Sequence, residues 1–214
     1  MTVRESVIRG RVSSEHVVQF FDSDESRAEC VAMFLVEGYR AGEPLLVVAR
    51  PANWAAIIEQ LERSNVPVQR AIAQGTLIVK DADDTLRRIS RNGSPDATSF
   101  NRVVAETVNR LQQGGGRVRI YGEMVDTLAQ RSDLIDATKL EALWNDLGAR
   151  TPSNLMCGYS AAHFVSTSTH RALREICGAH SDVHRHPQDP LAIWLLTAAH
   201  NSADGSGSAT ALQH

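Results

Sequence analysis

The sequence predicts an α/β domain built on a mostly parallel sheet of five or more strands, with helices on both faces. Three observations carry this expectation. Short apolar, β-prone runs are separated by amphipathic stretches of ten or more residues, the rhythm of crossover connections. One run, Pro44-Leu45-Leu46-Val47-Val48-Ala49, is apolar throughout and bounded by turn signals, as in a strand buried on both faces. The opening run His16 to Phe21 ends in the acidic turn Asp22-Ser23-Asp24-Glu25 and then feeds an amphipathic stretch. Nucleotide-binding α/β domains begin this way, except that their first turn wraps a phosphate with glycines and a lysine. Here that turn carries carboxylates, which would repel a triphosphate.

The elements follow in order. Strand one is His16 to Phe21. Ser23 is a natural N-cap for a helix from Asp24, whose Ala28, Val31, Ala32, Leu35, Val36 and Tyr39 keep helical spacing. Gly38 falls inside its last turn, at some cost. The Pro44 to Ala49 strand comes next, and Pro51 opens a helix to about Arg63 with Trp54, Ile57, Ile58 and Leu61 on one face. Gly75 to Lys80 is a third strand. The acidic run Asp81 to Asp84 caps a short helix near Leu86 to Ile89, and Asn92-Gly93-Ser94-Pro95 is a loop. From Pro95 or Asp96 a longer helix turns Phe100, Val103, Val104, Thr107, Val108 and Leu111 inward until Gly114-Gly115-Gly116 stops it. Arg117 to Tyr121 is the fourth strand and runs into Gly122-Glu123-Met124. Helices over Val125 to Arg131 and Ile135 to Leu147, a fifth strand Leu155 to Tyr159, and a helix from Thr169 to about His184 complete the domain. Crossovers between parallel strands are right-handed.

Bulk properties narrow the function classes. The 214 residues are 43% hydrophobic, enough for one generous core, and the net charge of −3 gives no basic field for nucleic acid or anionic membrane. The longest apolar run, Leu191 to Leu196, is far shorter than the ~20 residues of a membrane span. Residues 1–14 form a charged lead-in without the apolar core of a signal peptide. Cys30, Cys157 and Cys177 are too few and scattered for a disulfide framework. The expectation is a cytoplasmic protein with a 15–186 domain and a partly disordered Gly-, Ser- and Ala-rich segment over 187–214.

Six stretches in order resemble one family: His16-Val17-Val18-Gln19-Phe20-Phe21, Phe34-Leu35-Val36-Glu37-Gly38 with Gly42 to Val48, Gly75-Thr76-Leu77-Ile78-Val79, Val118 to Met124, Leu155-Met156-Cys157-Gly158-Tyr159, and Ile176-Cys177-Gly178-Ala179-His180-Ser181. Together they resemble the MEDS domain, the methanogen/methylotroph DcmR-type sensory domain. The resemblance implies a relative of RecA and clock-protein ATPases that has lost the phosphate loop and senses small hydrocarbon-derived ligands. Family members are often fused to DNA-binding, histidine-kinase or anti-sigma-type output domains. No such module follows here, so the expected partner is a separate regulatory protein (a kinase, an anti-sigma-type regulator or a transcription factor) or a second copy in a homo-oligomer.

In open parallel sheets ligands bind at the carboxyl ends of the strands. Those ends select Phe21, Asp22, Arg50, Tyr121, Glu123 and Tyr159 as the candidate ligand-binding set. Glu123 stands where an ATPase of this architecture would keep its metal-binding or water-activating acid. It is read as a ligand anchor, as an acid paired with Arg50, or as a helix-start acid satisfied by backbone amides. His16, at the far end of strand one, is expected to bond a neighbouring loop, and Cys157 to be a packed thiol. If a helix runs through His184, Cys177, His180 and His184 share one face and offer three donors to zinc or haem iron. The competing reading is a helix-terminal histidine complementing the dipole, and no metal or cofactor is expected. Ser160 and His163 lack the Gly-x-Ser-x-Gly elbow of a hydrolase. The leading reading is a non-catalytic sensory domain. A ligand-free interaction module and an atypical ATP-binding enzyme are the alternatives.

Overall fold

The computed structural model describes residues 14–184. In chain order it contains β1 (Glu15–Phe21), α1 (Asp24–Arg40), β2 (Leu45–Ala49), α2 (Pro51–Arg63), α3 (Val68–Ala73), β3 (Leu77–Asp81) and α4 (Ala82–Ile89). A small hairpin of β4 (Ser90–Arg91) and β5 (Ser94–Pro95) follows, then α5 (Ala97–Phe100), a π-helical turn (Asn101–Ala105) and α6 (Glu106–Gln112). The last part holds β6 (Val118–Gly122), α7 (Met124–Gln130), α8 (Leu134–Gly148), β7 (Ser153–Ser160), α9 (His170–Gly178) and β8 (Asp182–His184). Apart from the hairpin, the strands form one sheet in the order β3-β2-β6-β7-β1-β8, with every neighbouring pair parallel.

Strand parity divides the core. Val17, Phe21, Leu45, Val47, Tyr121 and Met156 face α1, α2 and α3, whereas Val18, Phe20, Leu46, Val48, Ile120, Leu155, Cys157 and Tyr159 face the later helices. Both faces are covered, which is why β2 reads as an unbroken apolar run. No helix among the described residues is long and apolar enough to cross a membrane.

The first turn is only two residues long, too short to wrap a phosphate. Ser23 instead forms a capping box with Ser26, and Ser26 Oγ also donates to the Asp22 carboxylate at 2.7 Å. Ser23→Ala should therefore cost about 1 kcal/mol and lower the melting temperature by roughly 2–4 °C, measured by thermal unfolding. Gly38 has a reason for its place in α1: a Cβ there would lie 2.5 Å from Arg119 Cδ, so Arg119 crosses where no side chain fits.

Several expectations are corrected. Residues 68–73 form α3, which the sequence reading passed over, and α4 begins at Ala82, with Asp81 as its cap through Asp84 N–H. The Asn92 to Pro95 loop is a tight hairpin, with Asn92 and Gly93 at positive φ. The helix expected to reach His184 ends at Gly178, and residues 182–184 pair with β1. Ser181 makes the change: its N–H and hydroxyl both donate to the His16 carbonyl, at 2.7 and 2.8 Å, turning the chain onto the sheet edge. The segment after Pro187 and the lead-in before Ser14 lie outside the described residues.

Candidate functional site

The sheet order places the ends of β2 and β6 side by side, with Val48 opposite Gly122 in register. Arg50, one residue beyond β2, therefore meets Glu123, the first residue beyond β6. Arg50 donates to Glu123 Oε2 from its backbone N–H at 3.0 Å and from Nε at 3.4 Å. Asn53 Nδ2 reaches the same oxygen at 2.9 Å, while the Tyr121 hydroxyl donates to Oε1 at 2.9 Å. The far end of the guanidinium, Nη2, pairs with Asp126, one turn into α7, and Nη1 donates to Gln130 at 3.2 Å. The other Asp126 oxygen accepts Ser160 N–H at 2.7 Å, and His163 Nε2 lies 3.2 Å from it. Glu123 and Asp126 are buried, at 0% and 1% exposure, so Arg50 holds two carboxylates that water does not reach. Burial works against the Arg50 cation, but Asp126 and Glu123 outweigh it and raise its pKa. Burial, reinforced by Glu123, pushes the Tyr121 hydroxyl well up, so it remains a donor.

Arg50, Tyr121 and Glu123 thus converge, in one closed network. Phe21 does not open onto a crevice: it is buried against the α1 side, beneath the Arg27 guanidinium at 5.5 Å. Asp22 is exposed and accepts the Ser26 hydroxyl. Tyr159 belongs elsewhere, because β7 turns it to the opposite face of the sheet from Tyr121. Asp126 was missed, although its place three residues after Glu123 on a helix start puts both acids on one side of the turn.

Tyr159 leads to a second cluster, which sequence reasoning did not assemble. Its hydroxyl donates to Glu141 Oε1 at 2.7 Å, from β7 to the middle of α8. Glu141 Oε2 receives the Cys157 thiol at 3.1 Å and faces His16 Nε2 at 3.3 Å and His180 Nε2 at 3.4 Å. Glu141, Cys157 and the His180 side chain are fully buried. Burial alone would raise the Glu141 carboxyl, but the two histidines hold it far below the usual range. Burial likewise penalises the His180 cation, yet Glu141 raises its pKa. The Cys157 thiol is pushed well up by burial and by Glu141. The expected Cys177, His180, His184 face does not form, because the helix carrying it stops at Gly178. His180 instead stacks on His16, with ring centroids 4.1 Å apart.

No curated protein sequence matches the chain. Among solved structures it is similar to the KaiC-like protein PH0186 from the hyperthermophilic archaeon Pyrococcus horikoshii OT3, at 15% identity, covering 82% of this chain and 75% of that one with a TM-score of 0.49. The model of the MEDS family, the methanogen/methylotroph, DcmR sensory domain, matches residues 15–181, and the chain belongs to that family of sensory domains.

Proposed function

We propose that this sensory domain is non-catalytic and recognises a small ligand at the carboxyl edge of its sheet by exchanging it for the Arg50 clamp. The observation that supports this reading is a single guanidinium, one-fifth exposed, balancing two wholly buried carboxylates at the ends of β2 and β6. A small molecule that supplies its own donors or positive end to Glu123 and Asp126 releases Arg50 toward solvent. That changes the surface formed by the start of α2 and by α7, which a separate regulatory protein or a second copy of the chain would read. The ligand shifts this equilibrium only by its differential affinity for the clamped and released states. The two-residue first turn and the engaged carboxylates speak against magnesium-nucleotide chemistry at the same edge.

Thermal unfolding with short halocarbons, alcohols and methylated amines tests the reading, with magnesium-ATP as the contrast. A cognate compound at 100 times its Kd should add about 2.7 kcal/mol, or roughly 5–10 °C in a chain of this size. Magnesium-ATP should give no shift. A flat response across the set would instead favour the second reading, a ligand-free interaction module, whose support is that Tyr121, Glu123 and Tyr159 leave no opening at their own positions.

A further inference from the structure

We propose that His16, Glu141, Cys157 and His180 form a binding site for a divalent transition metal of borderline softness, with zinc as the fitting ion. Their donor atoms lie within 4.8 Å of one another. Four of the separations are short: Cys157 Sγ to Glu141 Oε2 3.1 Å, His16 Nε2 to Cys157 Sγ 3.3 Å, His16 Nε2 to Glu141 Oε2 3.3 Å, and His180 Nε2 to Glu141 Oε2 3.4 Å. Tetrahedral zinc with bonds of about 2.0–2.3 Å requires ligand separations of roughly 3.3–3.8 Å. The side chains therefore stand almost at the spacing that the ion needs.

The surroundings orient the donors. His180 Nδ1 lies 2.6 Å from the Ile176 carbonyl, so Nδ1 carries a proton and Nε2 is the atom turned into the cluster. That Nε2 is buried, and its 3.4 Å approach to Glu141 Oε2 does not complete a hydrogen bond. His16 repeats the arrangement. Asn145 donates its Nδ2 to the Ala179 carbonyl at 2.8 Å, which turns Oδ1 toward His16 Nδ1, also at 2.8 Å. His16 Nε2 is thereby aimed inward as well. Tyr159 fixes the remaining Glu141 oxygen. Histidines with the outer nitrogen bonded to a carbonyl oxygen, and a carboxylate held by a hydroxyl, are the outer shell that metal ligands ordinarily have. A cavity of about 340 Å³ at the amino-terminal edge is lined by Ser14, His16, Asn145 and Ser181, so it reaches one of the four ligands.

Binding forms four metal–ligand bonds and sends the Cys157 thiol proton, with any proton on His16 Nε2 or His180 Nε2, to solvent. Four protein ligands leave no open position, so the ion is structural. It would tie the start of β1, the middle of β7 and α8 to the turn between α9 and β8, and so fix how β8 joins the sheet edge.

The test uses the full chain, stripped by chelator and titrated with Co(II) and then Zn(II). The expected result is one tightly held equivalent, a thiolate-to-cobalt charge-transfer band, intense tetrahedral visible bands, and displacement of cobalt by zinc. Cys157→Ser should lose the charge-transfer band. His180→Gln should bind roughly 100-fold more weakly or worse, since outer-shell changes alone cost about 10–100-fold. Cys177→Ser and the pair His184→Gln, His186→Gln should bind as the parent does. X-ray absorption on the zinc-loaded parent, which depends on no variant folding, should show one sulfur among nitrogen and oxygen ligands. The proposal is overturned if the parent retains no metal, if the absorption shows no sulfur ligand, or if binding survives Cys157→Ser unchanged and disappears with His184 and His186.

Discussion

Arg50→Ala is expected to lower stability by about 3 kcal/mol, a fall of roughly 6–12 °C in melting temperature, read by thermal and urea unfolding. The cost comes from what the substitution leaves behind. Glu123 and Asp126 are buried, and the substitution strands them without the cation that offsets their lost hydration. The guanidinium is itself 22% exposed, so water can partly replace it, which places the effect at the low end for a broken buried pair. Combining Arg50→Met with Glu123→Gln and Asp126→Asn removes all three charges and keeps acceptors for Arg50 N–H and Ser160 N–H. That triple variant should recover most of the loss, because an apolar or neutral replacement of a whole buried ion group is often close to neutral. If Arg50→Ala alone proves neutral, the carboxylates are hydrated and the clamp does not exist.

Much of the fold was legible because periodicity, caps and breakers agree locally. Ser23, Pro51 and Gly114 to Gly116 mark boundaries that depend on nearest neighbours alone. The misread helix end shows the limit of that method. Nothing local distinguishes a helix continuing past Gly178 from one that stops, since Ser181 is recruited by His16, 165 positions away. The candidate site divides the same way. Arg50 and Glu123 could be anticipated because strand ends in a parallel sheet share one edge. Tyr159 was misplaced because the relative parity of β6 and β7 depends on register: Tyr121 stands opposite Met156, so Tyr159 emerges on the other face. The His16, Glu141, Cys157, His180 cluster draws one residue each from β1, α8, β7 and the stretch after α9, with no shared spacing to betray it. The one available signal was a glutamate at an inward position of α8, because Glu141 stands four residues after Ala137 and three before Trp144.

Gly158→Ala should destabilise by about 2 kcal/mol, although the usual expectation for a glycine inside a strand has the opposite sign. Replacing such a glycine by alanine ordinarily gains about 0.4–1 kcal/mol by restricting the unfolded chain, provided the native backbone suits alanine. Space decides otherwise here. A Cβ at 158 would lie 2.8 Å from the Tyr121 hydroxyl and 2.9 Å from Phe21 Cε2, both on fully packed rings. Tyr121 cannot retreat freely, because its hydroxyl is tied to Glu123 and through it to Arg50. The strain should therefore reach the clamp, and a double-mutant cycle can detect it. Tyr121→Phe removes the atom nearest the new methyl group, leaving Glu123 its bonds from Arg50 N–H and Asn53. Combined with Gly158→Ala, it should cost less than the two single changes added together, with a coupling of about 1 kcal/mol. Additive losses would mean that the methyl group displaces Phe21 alone. A stabilised Gly158→Ala would mean that the tyrosine is not fixed by Glu123, and the closed edge on which the ligand-exchange reading stands would lose its second support.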